Sequence, residues 1–137
     1  MPDVDPRILR VVPHRAPILR IERIVAADRE RAIVAGSEPV GPGALPWSLG
    51  AIEGLAQSTA VMLACAVPET EWPDEPRGML VAVRRFVVDA EPPAGASIAY
   101  HVRLVRRFGP TVMVSGHAEH AGRRLAAGDL TLWAPAQ

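Results

Sequence analysis

From Gly78 onward, apolar and polar positions alternate with a period of two, the signature of strands with one face on a core. The alternation predicts four of them, Met79–Asp89, Ser97–Phe108, Thr111–His120 and Leu125–Trp133. Their separators, Pro92-Pro93-Ala94-Gly95, Gly109-Pro110 and Ala121-Gly122-Arg123-Arg124, are turn formers. The first half reads differently. Ser48 to Ala66 is apolar or small on every side, too long for a strand, and predicts a helix buried within its domain, with Ser48 as N-cap and an end near Pro68. Ahead of it stand a short helix over Arg7 to Val12, stopped by Pro13, and two apolar runs, Ile18 to Val25 and Arg31 to Gly36. Asp28-Arg29-Glu30 between those runs suits a hairpin turn. Gly36 to Pro46 is rich in Gly and Pro and must be a loop, and an acidic loop with Glu69, Glu71, Asp74 and Glu75 follows the long helix.

The resulting order is helix, two strands, long apolar helix, four strands, with no repeat or linker: an α+β chain, one domain over 1–137. A six-stranded antiparallel sheet wrapping one long helix is the hotdog architecture. A single sheet covers such a helix incompletely, so a dimer that continues the sheet is expected.

Composition narrows the function classes. The chain has 137 residues, 49% of them hydrophobic, and a formal net charge of zero, which argues against disorder and against a nucleic-acid binder driven by bulk charge. All fifteen basic residues are Arg. Cys65 is the one cysteine, so no internal disulfide is possible, and deep in an apolar helix it reads as inert core. Met1 to Pro6 has no signal-peptide pattern. Leu49–Val67 is long enough to raise a membrane question, but its Glu, Gln, Ser and Thr favour a buried helix of a cytoplasmic protein with no membrane partner.

Glu53 is the charged residue that breaks this pattern: none other lies between Glu38 and Glu69. A buried, unpaired carboxylate costs several kcal/mol or is driven toward its neutral form, where it can exchange protons near pH 7. The competing reading is structural, an acid near the helix start held by the dipole and by hydrogen bonds. Gln57 lies one turn on along the same face. His14 reads as a packing residue, and His101, His117 and His120 read as surface residues. His117 and His120, three apart on a strand, point to opposite faces, so no metal set is expected, and no cofactor is implied. Ser58 and Thr59 lack a neighbouring His, leaving a serine-hydrolase reading without support.

Three ordered pieces resemble the hotdog 3-hydroxyacyl-acyl-carrier-protein dehydratases of FabZ/FabA type. They are Pro13-His14-Arg15-Ala16-Pro17-Ile18-Leu19-Arg20-Ile21-Glu22-Arg23, Ile52-Glu53-Gly54-Leu55-Ala56-Gln57, and Val83-Arg84-Arg85-Phe86 followed by Pro93-Ala94-Gly95. The resemblance implies a site across a dimer interface. There a loop His removes the α-proton of the acyl thioester, a helix carboxylate protonates the departing hydroxyl, and N–H groups at the helix start polarise the thioester carbonyl. It assigns the carboxylate to Glu53, its neighbour to Gln57, and the carbonyl-binding turn to the N–H groups near Ser48 and Leu49. The loop His is missing: Ser37-Glu38-Pro39-Val40-Gly41-Pro42-Gly43 has none, and Ser37 or Glu38 stands in its place. Leu45-Pro46-Trp47 resembles a divergent branch found with aryl-polyene biosynthesis, whose members can work beside a second, complete dehydratase.

The expected partners are therefore an acyl-carrier protein or acyl-CoA thioester and a second hotdog chain, in a homodimer or in a heterodimer to which this chain contributes Glu53. Some of Arg84, Arg85, Arg106 and Arg107 are candidates for meeting the carrier. A hotdog thioesterase using Glu53, or a non-catalytic acyl-binding subunit, remain as alternatives.

Overall fold

A computed structural model describes residues 3–15, 18–39, 43–75 and 78–135. Helix α1 (Pro6–Val11) opens on Asp5, whose carboxylate accepts the Arg7 N–H at 2.9 Å, and Pro stands where a helix needs no N–H. Strands β1 (Arg23–Ala27) and β2 (Arg31–Ser37) form a hairpin. Its turn is held by Asp28 Oδ1, which accepts the N–H groups of Glu30 and Arg31 at 2.8 and 3.0 Å. Those two bonds keep the Asp28 carboxyl below the usual range. Helix α2 (Trp47–Cys65) follows, then a 3₁₀ turn (Glu69–Glu71) and strands β3 (Met79–Val88), β4 (Ser97–Phe108), β5 (Thr111–His120) and β6 (Arg123–Trp133).

The strands make one antiparallel sheet in the order β1-β2-β4-β5-β6-β3, curled around α2 in the hotdog arrangement. Alternate residues face the helix: Val34 on β2, Ile98 and Tyr100 on β4, Val112 and Val114 on β5, and Leu130 on β6 are buried against Ala51, Leu55 and Met62 of α2. Each large apolar side chain so buried contributes roughly 1.5–3 kcal/mol. Two glycines let the layers close. A Cβ on Gly54 would collide with the Tyr100 ring, and one on Gly50 would lie 2.6 Å from the Arg20 guanidinium. Two polar residues of α2 are satisfied within the helix: Ser58 Oγ donates to Gly54 O at 2.7 Å and Thr59 Oγ1 to Leu55 O at 2.8 Å. Trp72 folds back to donate its indole N–H to Ala64 O at 2.7 Å, closing the helix end.

Three expectations need correction. The first apolar run was expected to be a strand from Ile18, but β1 begins at Arg23, because Gln57 rather than a neighbouring strand takes up the backbone at Ile18 and Arg20. Ser48 is not the N-cap: the helix begins one residue earlier, with Pro46 as cap, and Ser48 is an exposed first-turn residue making no side-chain cap bond. Nor is α2 buried all round, since Leu49 is 51% exposed and Glu53 half-buried.

Candidate active-site cleft

The uncovered face of α2 floors a cleft of about 780 Å³. Ala56 and Ala60 leave its floor low. Leu63 and Leu132 make it apolar, the chain leaving α1 (Val12 to His14) forms one wall, and the start of β3 (Met79, Leu80) forms the other. Arg10, Arg107 and Glu71 stand among its charged lining residues. The volume lies within the range of small-molecule sites.

Glu53 and Gln57 meet in this cleft. The geometry fixes the amide. Arg20 N–H, a donor, reaches Gln57 Oε1 at 2.8 Å, so the amide NH₂ must face the other way. There it donates to Ile18 O at 3.0 Å and to Glu53 Oε2 at 3.3 Å. Gln57, 3% exposed, thus pins the segment after α1 to the helix and orients the carboxylate. Glu53 is half-buried and hydrogen-bonded, which corrects the expectation of a buried, unpaired acid.

Ser48 and Leu49 do not line the cleft. Leu49 lies one turn before Glu53 on the same exposed face. Its N–H already donates to Pro46 O at 3.0 Å, as does that of Gly50 at 2.9 Å. The Ser48 N–H makes no hydrogen bond among the described residues. As a carbonyl-binding turn, the helix start therefore offers the Ser48 N–H and not that of Leu49.

The position expected for the loop His is put to another use. Glu38 forms an ion pair with Arg20, whose side chain is wholly buried. Burial pushes the Glu38 carboxyl up, against the pull of the Arg20 guanidinium. Val40, Gly41 and Pro42 of the same loop lie outside the described residues, as do Ala16 and Pro17 of the first motif.

His14, expected to pack, is instead exposed and lines the cleft with Glu53. Its place in the first motif was the available signal, since that motif and the Glu53 helix are brought together by Gln57. Arg107 does reach the cleft, where its guanidinium donates to Gly109 O at 3.1 Å and Ala134 O at 3.2 Å. Arg106 instead stacks its guanidinium over Phe108 at 3.9 Å. Cys65 is half-buried rather than deep, and burial raises its thiol, which keeps it protonated and unreactive. The histidine reading also needs revision: His101 and His117, on different strands, stack face to face with Glu119 beside them.

Likenesses to known proteins agree with this geometry. No family model matches the chain. It is 25% identical over 142 residues to the 3-hydroxyacyl-[acyl-carrier-protein] dehydratase FabZ of Helicobacter acinonychis, covering 90% of this chain and 85% of that one. To FabZ of an Anaeromyxobacter species it is 29% identical, covering 89% and 84%. Among solved structures, the dehydratase heterocomplex ApeI:P from Xenorhabdus doucetiae superposes with a TM-score of 0.80 at 21% identity, over 95% of this chain and 91% of that one. A hypothetical thioesterase with coenzyme A from Streptococcus pneumoniae gives 0.60 at 12% identity, over 84% and 86%. The fold is thus that of hotdog dehydratases and thioesterases, and the sequence resembles FabZ dehydratases at a divergent distance.

Proposed function

We propose that this divergent FabZ-like hotdog chain is a dehydratase subunit that holds an acyl-phosphopantetheine thioester in the α2 cleft and contributes Glu53 to a site shared with a His-bearing hotdog partner. One observation carries the reading: Glu53 is oriented in an apolar cleft by Gln57, while Glu38, at the position of the loop His, is engaged with Arg20. In the dehydration, the partner's base takes the α-proton of a 3-hydroxyacyl thioester. The electron pair of that C–H bond becomes the C=C bond, the β C–O bond breaks, and Glu53 in its acid form donates a proton so that water leaves. The Gln57 amide keeps the carboxyl group aimed.

A different partner, rather than a second copy, fits the free edge of the sheet. β3 is exposed along most of its length, with Met79, Val81, Val87 and Val88 between 40% and 62% exposed. Its middle is Arg84-Arg85, with Arg85 at φ 51° in a bulge. Twofold pairing through that middle brings four arginines together, and like charges facing across strands destabilise a sheet. A partner with acidic residues there removes the conflict. Arg10 and Arg107 at the cleft suit the phosphate of a phosphopantetheine arm and the acidic surface of its carrier.

The test is co-expression with a hotdog dehydratase that has the loop His, followed by turnover of a 3-hydroxyacyl-carrier substrate. Glu53→Gln is expected to leave the complex intact and to lower turnover by about 10²-fold or more. Turnover unchanged by that substitution, in an assembled complex, would leave the chain a non-catalytic subunit. The second reading, a thioesterase, rests on a carboxylate that needs no His and on the thioesterase neighbour. It requires Glu53-dependent release of free thiol instead of an enoyl product.

A further inference from the structure

The outer face of the sheet, away from α2, carries a cluster that the cleft does not use. His101 on β4 and His117 on β5 are directly paired in the antiparallel ladder, and Glu119 follows His117 by two residues, on the same face. The imidazole rings stack with centroids 4.4 Å apart and planes within 9°. Both Nε2 atoms turn to one carboxylate: His101 Nε2 lies 2.9 Å from Glu119 Oε1, and His117 Nε2 lies 3.7 Å from Oε2. The three side chains are between 28% and 39% exposed, so solvent and solutes reach them.

We propose that His101, His117 and Glu119 form a binding site for a divalent transition-metal ion of zinc type. Two imidazoles and a carboxylate are a borderline donor set of the kind that holds Zn²⁺ with a fourth position left to solvent or a small anion. One donor atom from each residue lies within 4.8 Å of the others. Bonds of about 2.0–2.1 Å in a tetrahedral site need donors roughly 3.3 Å apart, so closure takes about 1.5 Å of side-chain motion at most. The half-exposed rotamers can supply that motion. The backbone beneath them is held, since β4 and β5 pair with each other and with β2 and β6 on either side.

The surroundings leave the donors free. The ladder partners of the histidines on the flanking strands are Ile33 on β2 and Ala127 on β6, which offer no competing ligand. Arg124, opposite Glu119 on β6, donates to Asp89 at 2.9 Å and so has another acid for its charge. His120 takes no part: its Nδ1 pairs with Ser97 O at 2.7 Å. Arg31, Arg103 and Arg124 line the same shallow depression, which sets this site apart from a closed structural one. Their field favours an anion in the fourth position and weakens the hold on a bare cation.

The experiment uses untagged, chelator-treated protein in a buffer that does not bind metals, titrated calorimetrically with Zn²⁺ alone. One equivalent per chain is expected, with the thermal midpoint raised on binding. His101→Ala and His117→Ala should each weaken binding at least about tenfold and abolish the midpoint shift, whereas His120→Ala and Cys65→Ser should leave both unchanged. Nitrogen-15 spectra of the imidazoles add a readout that a general loss of fold would not mimic: Zn²⁺ should move the Nε2 resonances of His101 and His117 and spare those of His14 and His120. The metal-free midpoint of each variant reports whether it folds. Substoichiometric binding, or binding that survives in the folded His101→Ala, His117→Ala double variant, would overturn the site and identify the cluster as a histidine–glutamate contact with no ion.

Discussion

Tyr100 puts its ring into the space that Gly54 leaves on α2, and its buried hydroxyl has no hydrogen-bond partner among the described residues. Burial, only partly offset by the Arg20 charge nearby, pushes the phenol up to about 12. It is the one tyrosine in the chain, so an ultraviolet titration of phenolate follows this group alone. The folded protein should ionise near 12, and the urea-unfolded chain near 10. The folded value is the higher one, so the stability linked to Tyr100 is fully present below pH 10 and is lost as pH rises through 12. The loss amounts to roughly 2–3 kcal/mol. A folded titration near 10 would mean that the ring is not where Gly54 admits it. Arg20 and Glu38 invite a second measurement by urea unfolding. Glu38→Leu strands a buried guanidinium and should cost about 3–5 kcal/mol, whereas Arg20→Met with Glu38→Leu should cost less than Glu38→Leu alone. At this scale Glu53 was legible because it interrupts an apolar stretch, and Gln57 because it lies one turn on. The roles of Glu38, His14 and the His101–His117 pair were not, because each depends on which distant segment the fold lays alongside.

β4 and β5 were legible to the residue, because the turn formers Pro92 to Gly95, Gly109-Pro110 and Ala121-Gly122 bound them, while core and outer side chains alternate through the first half of β4 and most of β5. β1 was not. The apolar run at Ile18–Arg20 looks like strand, but the Ile18 and Leu19 N–H groups turn back to Arg15 O while Ile18 O and Arg20 N–H bond the Gln57 side chain, and no local pattern announces a partner in a helix nearly forty positions on. The start of α2 failed for a smaller reason: a serine just before an apolar run looks like a cap, yet Pro46, two residues earlier, already holds the extended geometry that a cap needs, with φ −52° and ψ 146°. β3 is the element whose burial departs from its neighbours, exposed where β4, β5 and β6 alternate. An exposed apolar edge is a template for pairing. Val81→Lys together with Val87→Asp should abolish the proposed complex with a His-bearing partner, seen as a fall in mass by light scattering. Far-ultraviolet circular dichroism should stay unchanged, since Val81 and Val87 are 61% and 52% exposed in the single chain. An undiminished complex would move the interface off β3.

The cleft exists only at the level of the whole molecule: α2 supplies its floor, the chain leaving α1 one wall, and β3 and β6 the other. Nothing in the local sequence of any of these elements marks a cavity. What could be read was that a single sheet leaves one side of a long helix open, and it is that side which carries Leu49, Glu53 and Ala60. If an acyl chain lies along this floor with its thioester near Glu53, Ala60 is two turns further in, under the chain's far end. Ala60→Phe fills that end. Each methylene denied burial forfeits about 0.8 kcal/mol, so a substrate losing three such contacts binds about 2.4 kcal/mol less well, or roughly 60-fold. A short 3-hydroxyacyl substrate that never reaches Ala60 should lose almost nothing. The comparison is therefore a ratio, kcat/KM for a long acyl chain over that for a short one, measured in the complex with the His-bearing partner. It should fall by one to two orders of magnitude in Ala60→Phe and stay level in Glu53→Gln, which removes chemistry from both substrates alike. A ratio unmoved by Ala60→Phe would mean that the acyl chain runs elsewhere, and that Glu53 serves a substrate entering from the partner's side of the interface.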